Sequence, residues 1–240
     1  MDGYLSGLAL LPILFVQGKQ VRRQTPVLPE PGGPRIGVDG NGKPLKLLIV
    51  GDSAAAGVGT QQQDTALLGQ TLKHLKQSFE VSYQLVARSG ATTAETLTVL
   101  ETLPSQSFDT VITSLGVNDV TSSVTLSTWR QQQAMLRSLL QDKFKAKQAI
   151  ITKVPPMHRF PALPNPLRWY LGDRAKRFNE VLCQDVELEQ RCQLLNLETA
   201  EKDIPMASDG FHPGPDIYHR WGKRSAHLIK RFHASPSEEH

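Results

Sequence analysis

The amino-acid sequence predicts one three-layer α/β domain built on a central five-stranded parallel sheet. Beyond Lys46, short apolar runs alternate with longer amphipathic stretches, which is typical of β-strands joined by crossover helices. The short runs are mostly apolar, as expected for parallel strands that helices cover on both faces. The length of 240 residues also favours one sizeable domain over two very small ones.

Composition and charge agree with a globular domain and exclude some functional classes. Hydrophobic residues make up 39% of the chain, charged residues 21%, and the mean hydropathy is −0.29, as in ordinary soluble globular proteins. The net charge of +4 comes from scattered Lys and Arg, without a basic stripe interleaved with aromatic residues. We therefore expect no nucleic-acid partner.

The amino-terminal part, residues 1–45, is predicted to be an apolar segment followed by an arm. An apolar run covers Leu5–Val16, and the basic residues Lys19, Arg22 and Arg23 follow it. The run is shorter than the ~20 residues that span a bilayer. Asp2 precedes it and no Ala-x-Ala site follows, which disfavours a secretory signal.

Two interpretations of the apolar run stay open. It contacts a membrane surface peripherally, or it packs back on the domain. In the first case the basic flank favours the cytoplasmic side, so we expect a cytoplasmic location or the cytoplasmic face of the membrane. Residues 24–44, rich in Pro and Gly, are predicted to form extended chain and turns.

Strands and helices are predicted to alternate over residues 46–232, which form the predicted domain, with a carboxyl-terminal tail at 233–240. The predicted strands are Leu47–Val50, Val81–Ala87, Thr110–Leu115, Ala149–Val154 and Leu194–Leu197. The predicted helices are Asp64–Ser78, Thr93–Glu101, Leu126–Asp142, Leu167–Leu188 and Pro215–Phe232.

The chain contains two cysteines, Cys183 and Cys192, which are too few for a zinc site. They could form a disulfide in an oxidising compartment, or they could be buried as small hydrophobic residues. The sequence leaves both possibilities open, and we expect no metal.

Ser53 is the first candidate functional residue. In open parallel sheets, ligands bind beyond the carboxyl ends of the strands, and Gly51–Gly57 follows the first strand with Ser53 at a predicted helix start. Free N–H groups and the helix dipole there would stabilise an oxyanion. An isolated serine in this position is more often an ordinary N-cap. The glycine spacing fits neither a P-loop nor a dinucleotide-binding fingerprint.

Further candidates follow other strands and precede the last helix. Asp209 and His212, three residues apart on a loop that contains glycine, can share one turn. The carboxylate could then accept from imidazole Nδ1–H, which leaves Nε2 free to take a proton from Ser53. The Gly90 N–H after the second strand and the Asn118 amide after the third are suitable oxyanion donors.

These four blocks, taken in order, resemble those of the SGNH/GDSL hydrolases. They are Gly-Asp-Ser, a glycine after the second strand, Gly-x-Asn-Asp after the third strand, and Asp-x-x-His before the last helix. The resemblance implies a flavodoxin-like fold, Ser53 as nucleophile, His212 as base and Asp209 as its partner. It also implies an oxyanion hole formed by Ser53, Gly90 and Asn118, and no cofactor. Arg88-Ser89 precede Gly90, where the family usually presents an asparagine nearby.

The resemblance implies a carboxylic ester as the small-molecule substrate, since the family acts through an acyl-enzyme intermediate. The stretch 155–164 presents apolar side chains near the expected site, which favours short or medium acyl esters or aryl esters. Two alternatives stay open: a lysophospholipase or thioesterase acting near membranes, and a sugar-ester deacetylase. The sequence makes no prediction of oligomeric state.

Overall fold

The computed structural model describes residues 2–197 and 205–234, with the side chains of the first helix described from Leu10 onward. Its strands are β1 (Ile36–Asp39), β2 (Lys43–Gly51), β3 (Phe79–Ala87), β4 (Thr110–Ser114), β5 (Gln148–Thr152) and β6 (Cys192–Leu195). Its helices are α1 (Asp2–Gln24), α2 (Ser53–Ala56), α3 (Leu67–Leu75), α4 (Thr93–Thr102), α5 (Val117–Thr121), α6 (Leu126–Asp142), α7 (Leu167–Val186) and α8 (Pro215–Ala234). Short 3₁₀ helices cover Gln63–Thr65 and Met157–Arg159. Residues 235–240 of the predicted tail lie outside the described residues.

The strands form one sheet in the order β1-β3-β2-β4-β5-β6. The five predicted strands, β2 to β6, run parallel, which confirms the α/β fold class. The sheet has one strand more than predicted, because β1 pairs antiparallel with the outer edge of β3. This sixth strand comes from the arm that was expected to form only extended chain and turns.

Helices cover both faces of the sheet, and β2 shows how its side chains divide between them. Leu47 and Ile49 pack with α3 and α8 on one face. Leu48 and Val50 pack with α4 and α6 on the other. Since successive side chains of a strand point to opposite faces, a continuous apolar run can be buried on both sides.

The register of the sheet places the loops after β2, β3 and β4 side by side. Gly51, the last residue of β2, lies opposite Ala87 of β3 and Ser114 of β4. The Arg88 N–H donates to the Gly51 carbonyl oxygen at 3.2 Å, and the Asp52 N–H donates to the Ser114 carbonyl oxygen at 3.1 Å. The three loops with candidate residues therefore meet at one edge.

Helix α1 packs against the domain along one side. Leu14 is buried among side chains of α7, and Val21 packs against the same cluster. The remaining described side chains from Leu11 to Gln24 are mostly exposed. None of the helices, over the residues the structure describes, combines the length and apolar character needed to cross a membrane.

The two cysteines lie near the carboxyl end of α7 and at the start of β6. Cys183 is half-buried and Cys192 is buried, and both are free thiols. Burial and the neighbouring Glu189 carboxylate raise the pKa of Cys192 to about 12. A thiol with such a pKa stays protonated and unreactive at neutral pH.

Candidate active site

Ser53 lies at the carboxyl end of β2, as the first residue of α2. Gly51 ends the strand, and a Cβ atom there would lie 2.3 Å from the carbonyl oxygen of Ser114. Only glycine therefore allows the chain to turn this close to β4. The Asp52 side chain accepts from the Ala54 N–H at 3.0 Å and caps the short helix. This local structure holds the Ser53 hydroxyl half-buried at the sheet edge.

The helix that Ser53 begins is much shorter than a full crossover helix. Aligned peptide dipoles add along a helix, and α2 contains only four residues, so its dipole at Ser53 is weak. The helix dipole that the sequence led us to expect is therefore weak, and stabilisation of an oxyanion here depends on individual N–H groups. Burial raises the pKa of the neighbouring Asp52 carboxyl to about 7, although the bond from Ala54 opposes the shift.

Asp209 and His212 share one tight turn before α8. One Asp209 oxygen accepts from the N–H groups of Phe211 and His212, at 2.9 and 3.0 Å. The other oxygen lies 2.5 Å from His212 Nδ1. Burial acts to raise the pKa of Asp209, but the bonds from His212 and Phe211 outweigh it and hold the pKa below its usual value. The carboxylate therefore stays ionised and fixes the imidazole.

The imidazole also reaches Ser53, which lies 159 residues earlier in the sequence. His212 Nε2 lies 2.9 Å from Ser53 Oγ. Because the ionised Asp209 carboxylate can only accept at Nδ1, the proton of a neutral imidazole belongs on Nδ1 and Nε2 accepts from the hydroxyl. The structure thus brings together the three residues that the sequence placed in two distant blocks.

Gly90 and Asn118 lie in the neighbouring loops at the same sheet edge. Gly90 has a φ of +80°, with open space where a Cβ atom would stand. Asn118 lies in α5, and its Nδ2 donates to the Ala91 carbonyl oxygen at 2.9 Å. An amide nitrogen carries two hydrogens, so this bond leaves one for another acceptor. Within the described part of the chain, the N–H groups of Ser53 and Gly90 bond to no protein acceptor.

Glu30 holds the loop that contains Gly90, although the sequence analysis did not identify it. One Glu30 oxygen accepts from both the N–H and the hydroxyl of Ser89, each at 2.7 Å. The other pairs with Arg35, which also donates to the Ala87 carbonyl oxygen. Burial acts to raise the pKa of Glu30, but these hydrogen bonds lower it below the usual value. No pattern links Glu30 to Ser89, which follows 59 residues later.

Asp119 joins the loops after β3 and β4. Its two oxygens lie 3.1 and 3.2 Å from the Thr93 N–H, and one accepts from the Thr93 hydroxyl at 2.9 Å. Thr93 begins α4, whose first N–H groups have no partner within the helix. Burial raises the pKa of Asp119, and the bonds from Thr93 oppose that rise. Its place beside Asn118 in the Gly-x-Asn-Asp block is the sequence signal that could have identified it.

A pocket opens beside Ser53 and His212, with walls that are mainly apolar. Its apolar lining includes Leu115, Val154, Pro156, Phe160, Met206 and Phe211. The rings of Phe160 and Phe211 pack edge to face, with centroids 5.2 Å apart. From the stretch 155–164, Pro155, Pro156 and Phe160 line this pocket, whereas Met157 and Leu163 are buried in the core.

No three His, Cys, Asp or Glu side chains of residues 2–197 and 205–234 lie close enough together to hold a metal ion. The candidate site thus consists of the hydroxyl of Ser53, the imidazole of His212 and the carboxylate of Asp209, which are linked by hydrogen bonds. An apolar pocket and two free N–H groups lie beside them.

Comparison with protein-family models finds a match over most of the chain. A family model described as GDSL-like Lipase/Acylhydrolase family matches residues 49–220. This range contains Ser53, Gly90, Asn118, Asp209 and His212, whereas Glu30 precedes it. No curated protein matches the chain in sequence.

Several solved structures share the fold at low sequence identity. The psychrotrophic esterase EstA from Pseudoalteromonas sp., inhibited by monoethylphosphonate, has 19% identity and a TM-score of 0.60, over 79% of this chain and 99% of that one. A lipase/acylhydrolase from Enterococcus faecalis has 20% identity and a TM-score of 0.56, over 78% and 96%. Est24, a carbohydrate acetylesterase from Sinorhizobium meliloti, has 16% identity and a TM-score of 0.57, over 78% and 99%.

Proposed function

Since the chain belongs to the GDSL-like lipase/acylhydrolase family, we propose that it hydrolyses carboxylic esters with short or medium acyl groups, or aryl esters. The observation that carries this proposal is the hydrogen-bonded sequence of Ser53 Oγ, His212 Nε2, His212 Nδ1 and Asp209 Oδ2. A serine hydroxyl bonded to an oriented imidazole is the arrangement that acyl transfer requires.

In the first half of the proposed reaction, Ser53 Oγ attacks the ester carbonyl carbon. His212 Nε2 takes the hydroxyl proton as the new carbon–oxygen bond forms, and the carbonyl electron pair moves to its oxygen. Asp209 stays ionised and stabilises the imidazolium. The tetrahedral intermediate then collapses, the bond to the alcohol breaks, and His212 gives its proton to the departing oxygen.

In the second half, water releases the acyl group from Ser53. His212 takes a proton from the water as the water oxygen attacks the acyl carbon. It gives that proton to Ser53 Oγ when the bond between the acyl carbon and serine breaks. The products are a carboxylic acid, an alcohol and the free enzyme. This scheme needs no group beyond those of the chain and water.

The oxyanion of both intermediates is proposed to accept from the N–H groups of Ser53 and Gly90 and from Asn118 Nδ2. The lack of protein acceptors for the two N–H groups supports this assignment. The bond from Asn118 to the Ala91 carbonyl oxygen fixes the amide before substrate binds. Donors fixed in advance stabilise a developing charge without reorganising during the reaction.

The walls of the pocket support the proposed substrate class. Apolar side chains such as Val154 and Phe160 can bury an acyl chain or an aromatic ring next to Ser53. A sugar-ester deacetylase, although Est24 shares the fold, would need a mainly polar lining to replace the water bound by sugar hydroxyls. The polar side chains of this pocket, among them Lys153, Asn196 and Arg220, make up only a small part of its surface. The second candidate is therefore an acylhydrolase for lysophospholipids or acyl thioesters, which the apolar walls favour equally.

A substrate panel tests the proposed function. Purified protein is assayed with nitrophenyl esters of increasing acyl length, a lysophospholipid, an acyl-CoA and an acetylated sugar. We expect turnover of the nitrophenyl esters with an optimum at short or medium length. Ser53→Ala should abolish it, whereas Ser107→Ala, which removes an exposed hydroxyl outside the site, should retain it.

Several outcomes would change or overturn this assignment. Activity confined to lysophospholipid or acyl-CoA favours the second candidate, and activity confined to the acetylated sugar contradicts both. Turnover that persists in Ser53→Ala contradicts the proposed nucleophile. A melting temperature of Ser53→Ala close to that of the parent shows that its loss of turnover is chemical.

A further inference from the structure

Large exposed hydrophobic side chains concentrate on α1 and the first turn of α7. Seven of the thirteen such residues in the described part of the chain lie there. They form the patch discussed below: Leu10, Leu11, Ile13, Phe15 and Val16 of α1, with Trp169 and Tyr170 of α7. Isolated exposed hydrophobic residues are common in proteins, but a concentrated set marks an interaction surface.

Specific contacts bring the two parts of the patch together. The Gln17 side chain donates to the Asn165 carbonyl oxygen at 2.7 Å and accepts from the Leu167 N–H at 3.0 Å. This second bond satisfies one of the unpaired N–H groups at the start of α7. Leu14, one turn earlier, is buried with Leu167 in the same cluster. Helix α1 and the first turn of α7 therefore lie next to each other.

Positive charge borders the patch on α1. Lys19, Arg22 and Arg23 are exposed, and the Lys19 ammonium lies 4.4 Å from the centre of the Phe15 ring. The sequence contains no acidic residue between Asp2 and Glu30. Apolar and basic side chains thus stand side by side without neighbouring carboxylates on the same segment.

We propose that this surface docks the protein on a lipid bilayer that contains anionic lipids. Apolar side chains enter the boundary between headgroups and acyl chains, and basic residues attract anionic headgroups. Trp169 and Tyr170 are the side-chain types that concentrate at membrane interfaces. The charge selects this occupant, because a second copy of the chain would bring the same cations against Lys19, Arg22 and Arg23.

The surface and the pocket share neighbouring elements. The 3₁₀ helix Met157–Arg159 packs against α7, since a Cβ atom on Gly172 of α7 would lie 2.6 Å from the Cβ atom of His158. Pro156 and Phe160, on either side of this helix, line the pocket. The proposal concerns binding, and it does not depend on which reaction the site performs.

Vesicle flotation tests the proposal on the full chain. One vesicle preparation is phosphatidylcholine alone, and the other contains two parts phosphatidylcholine to one part phosphatidylglycerol. We expect the protein to float with the anionic vesicles, less with the neutral ones, and less as salt rises. Each replacement of Arg22 or Arg23 by glutamine should weaken binding to anionic vesicles roughly fivefold.

Paired variants separate the patch from other exposed hydrophobic residues. Phe15 and Trp169 are 63% and 65% exposed, and Phe15→Ser with Trp169→Ser should lower vesicle affinity about tenfold or more. Val27 and Leu188 are 96% and 85% exposed outside the patch, and Val27→Ser with Leu188→Ser should leave affinity unchanged. Both double variants should keep the parent melting temperature within a few degrees and turn over a soluble ester normally.

Docking on lipid would be overturned if the protein floated with neither vesicle type, or if it bound neutral and anionic vesicles equally. It would also be overturned if the two double variants lost binding to the same extent. Light scattering in the absence of lipid tests whether a second copy of the chain covers the patch instead. A dimer that the patch variants dissociate, in protein that does not float, would assign the surface to a second copy of the chain.

Discussion

The Asn118 side chain shows how one residue can hold a loop and serve the reaction. Its Nδ2 atom donates to the Ala91 carbonyl oxygen, next to Gly90. The other hydrogen of the same amide is the proposed oxyanion donor. Such a donor strengthens its bond mainly in the transition state, so it should affect the chemical step more than substrate binding.

Asn118→Ala is therefore expected to lower kcat by roughly 10²–10³ with little change in KM. Asn118→Asp should be at least as damaging, because it loses both hydrogens and places negative charge where negative charge must form. Steady-state kinetics on a soluble ester measure the effect, with Thr98→Ala on the exposed side of α4 as control. A change in KM alone, or in melting temperature alone, would assign Asn118 to another role.

The residues behind Ser53 also determine how activity depends on pH. Asp209 has a lowered pKa and stays ionised through the neutral range, so it keeps accepting from His212 Nδ1 there. His212 must be neutral to accept the serine proton, and therefore kcat/KM should fall as the solution becomes more acidic. A pH-stat assay measures this profile. A rate that is constant down to about pH 5 would contradict His212 as the base.

Glu30 acts on the site through Ser89 and is a positioning residue. Glu30→Ala removes the oxygen that accepts both Ser89 bonds and should lower kcat several-fold, whereas Glu30→Gln keeps an oxygen acceptor and should recover most of it. A purely structural role would lower the melting temperature of both variants with no difference in kcat between them.

The lowered pKa of Glu30 also predicts a change of stability with pH. A carboxyl with a lowered folded-state pKa stabilises the fold above its unfolded value of 4.5, and loses that contribution as pH falls through the folded value. Below about pH 4.5 the parent should therefore lose stability more steeply than Glu30→Gln. The difference should stay under about 1 kcal/mol, since the side chain is partly exposed. If the melting temperatures of the parent and of Glu30→Gln change with pH in parallel, Glu30 makes no such contribution.

At the scale of elements, the sequence predicted the parallel strands and long helices well, because each has a strong pattern. Strand Thr110–Ser114, for example, is buried at every position and consists mostly of β-branched residues, which favour strands. The edge strand Ile36–Asp39 has no such run, since three of its four residues are exposed. It forms because β3 offers an unpaired edge, which is a property of the assembled sheet. The short helices Ser53–Ala56 and Val117–Thr121 are likewise below the length that periodicity detects.

Helix α1 supplies an element-scale prediction, since only one side of it contacts the domain. Leu14 is 9% exposed and belongs to the α7 cluster, so Leu14→Ala should destabilise the protein by about 2 kcal/mol, the lower end for a buried leucine. Leu11→Ala, on the exposed side of the same helix, should change stability little. Denaturant unfolding compares the two. Equal effects would mean that α1 is not packed as described.

At the scale of the whole molecule, the candidate site depends on chain topology. Ser53 and His212 are 159 residues apart, yet crossover helices bring the carboxyl ends of the five parallel strands to one edge. Applied to the sequence, this rule predicts that the candidate blocks meet at that edge. It could not supply Glu30, because the arm that contains it approaches the site from outside the parallel strands.

His212 and Asp209 are proposed to activate Ser53 as the nucleophile. Labelling with a fluorophosphonate probe followed by peptide mass spectrometry tests this role, since such a probe reacts with activated serines. We expect one adduct, on Ser53, which is absent from Ser53→Ala and forms much more slowly in His212→Asn. An adduct on another serine, or labelling of Ser53→Ala at the parent rate, would contradict it.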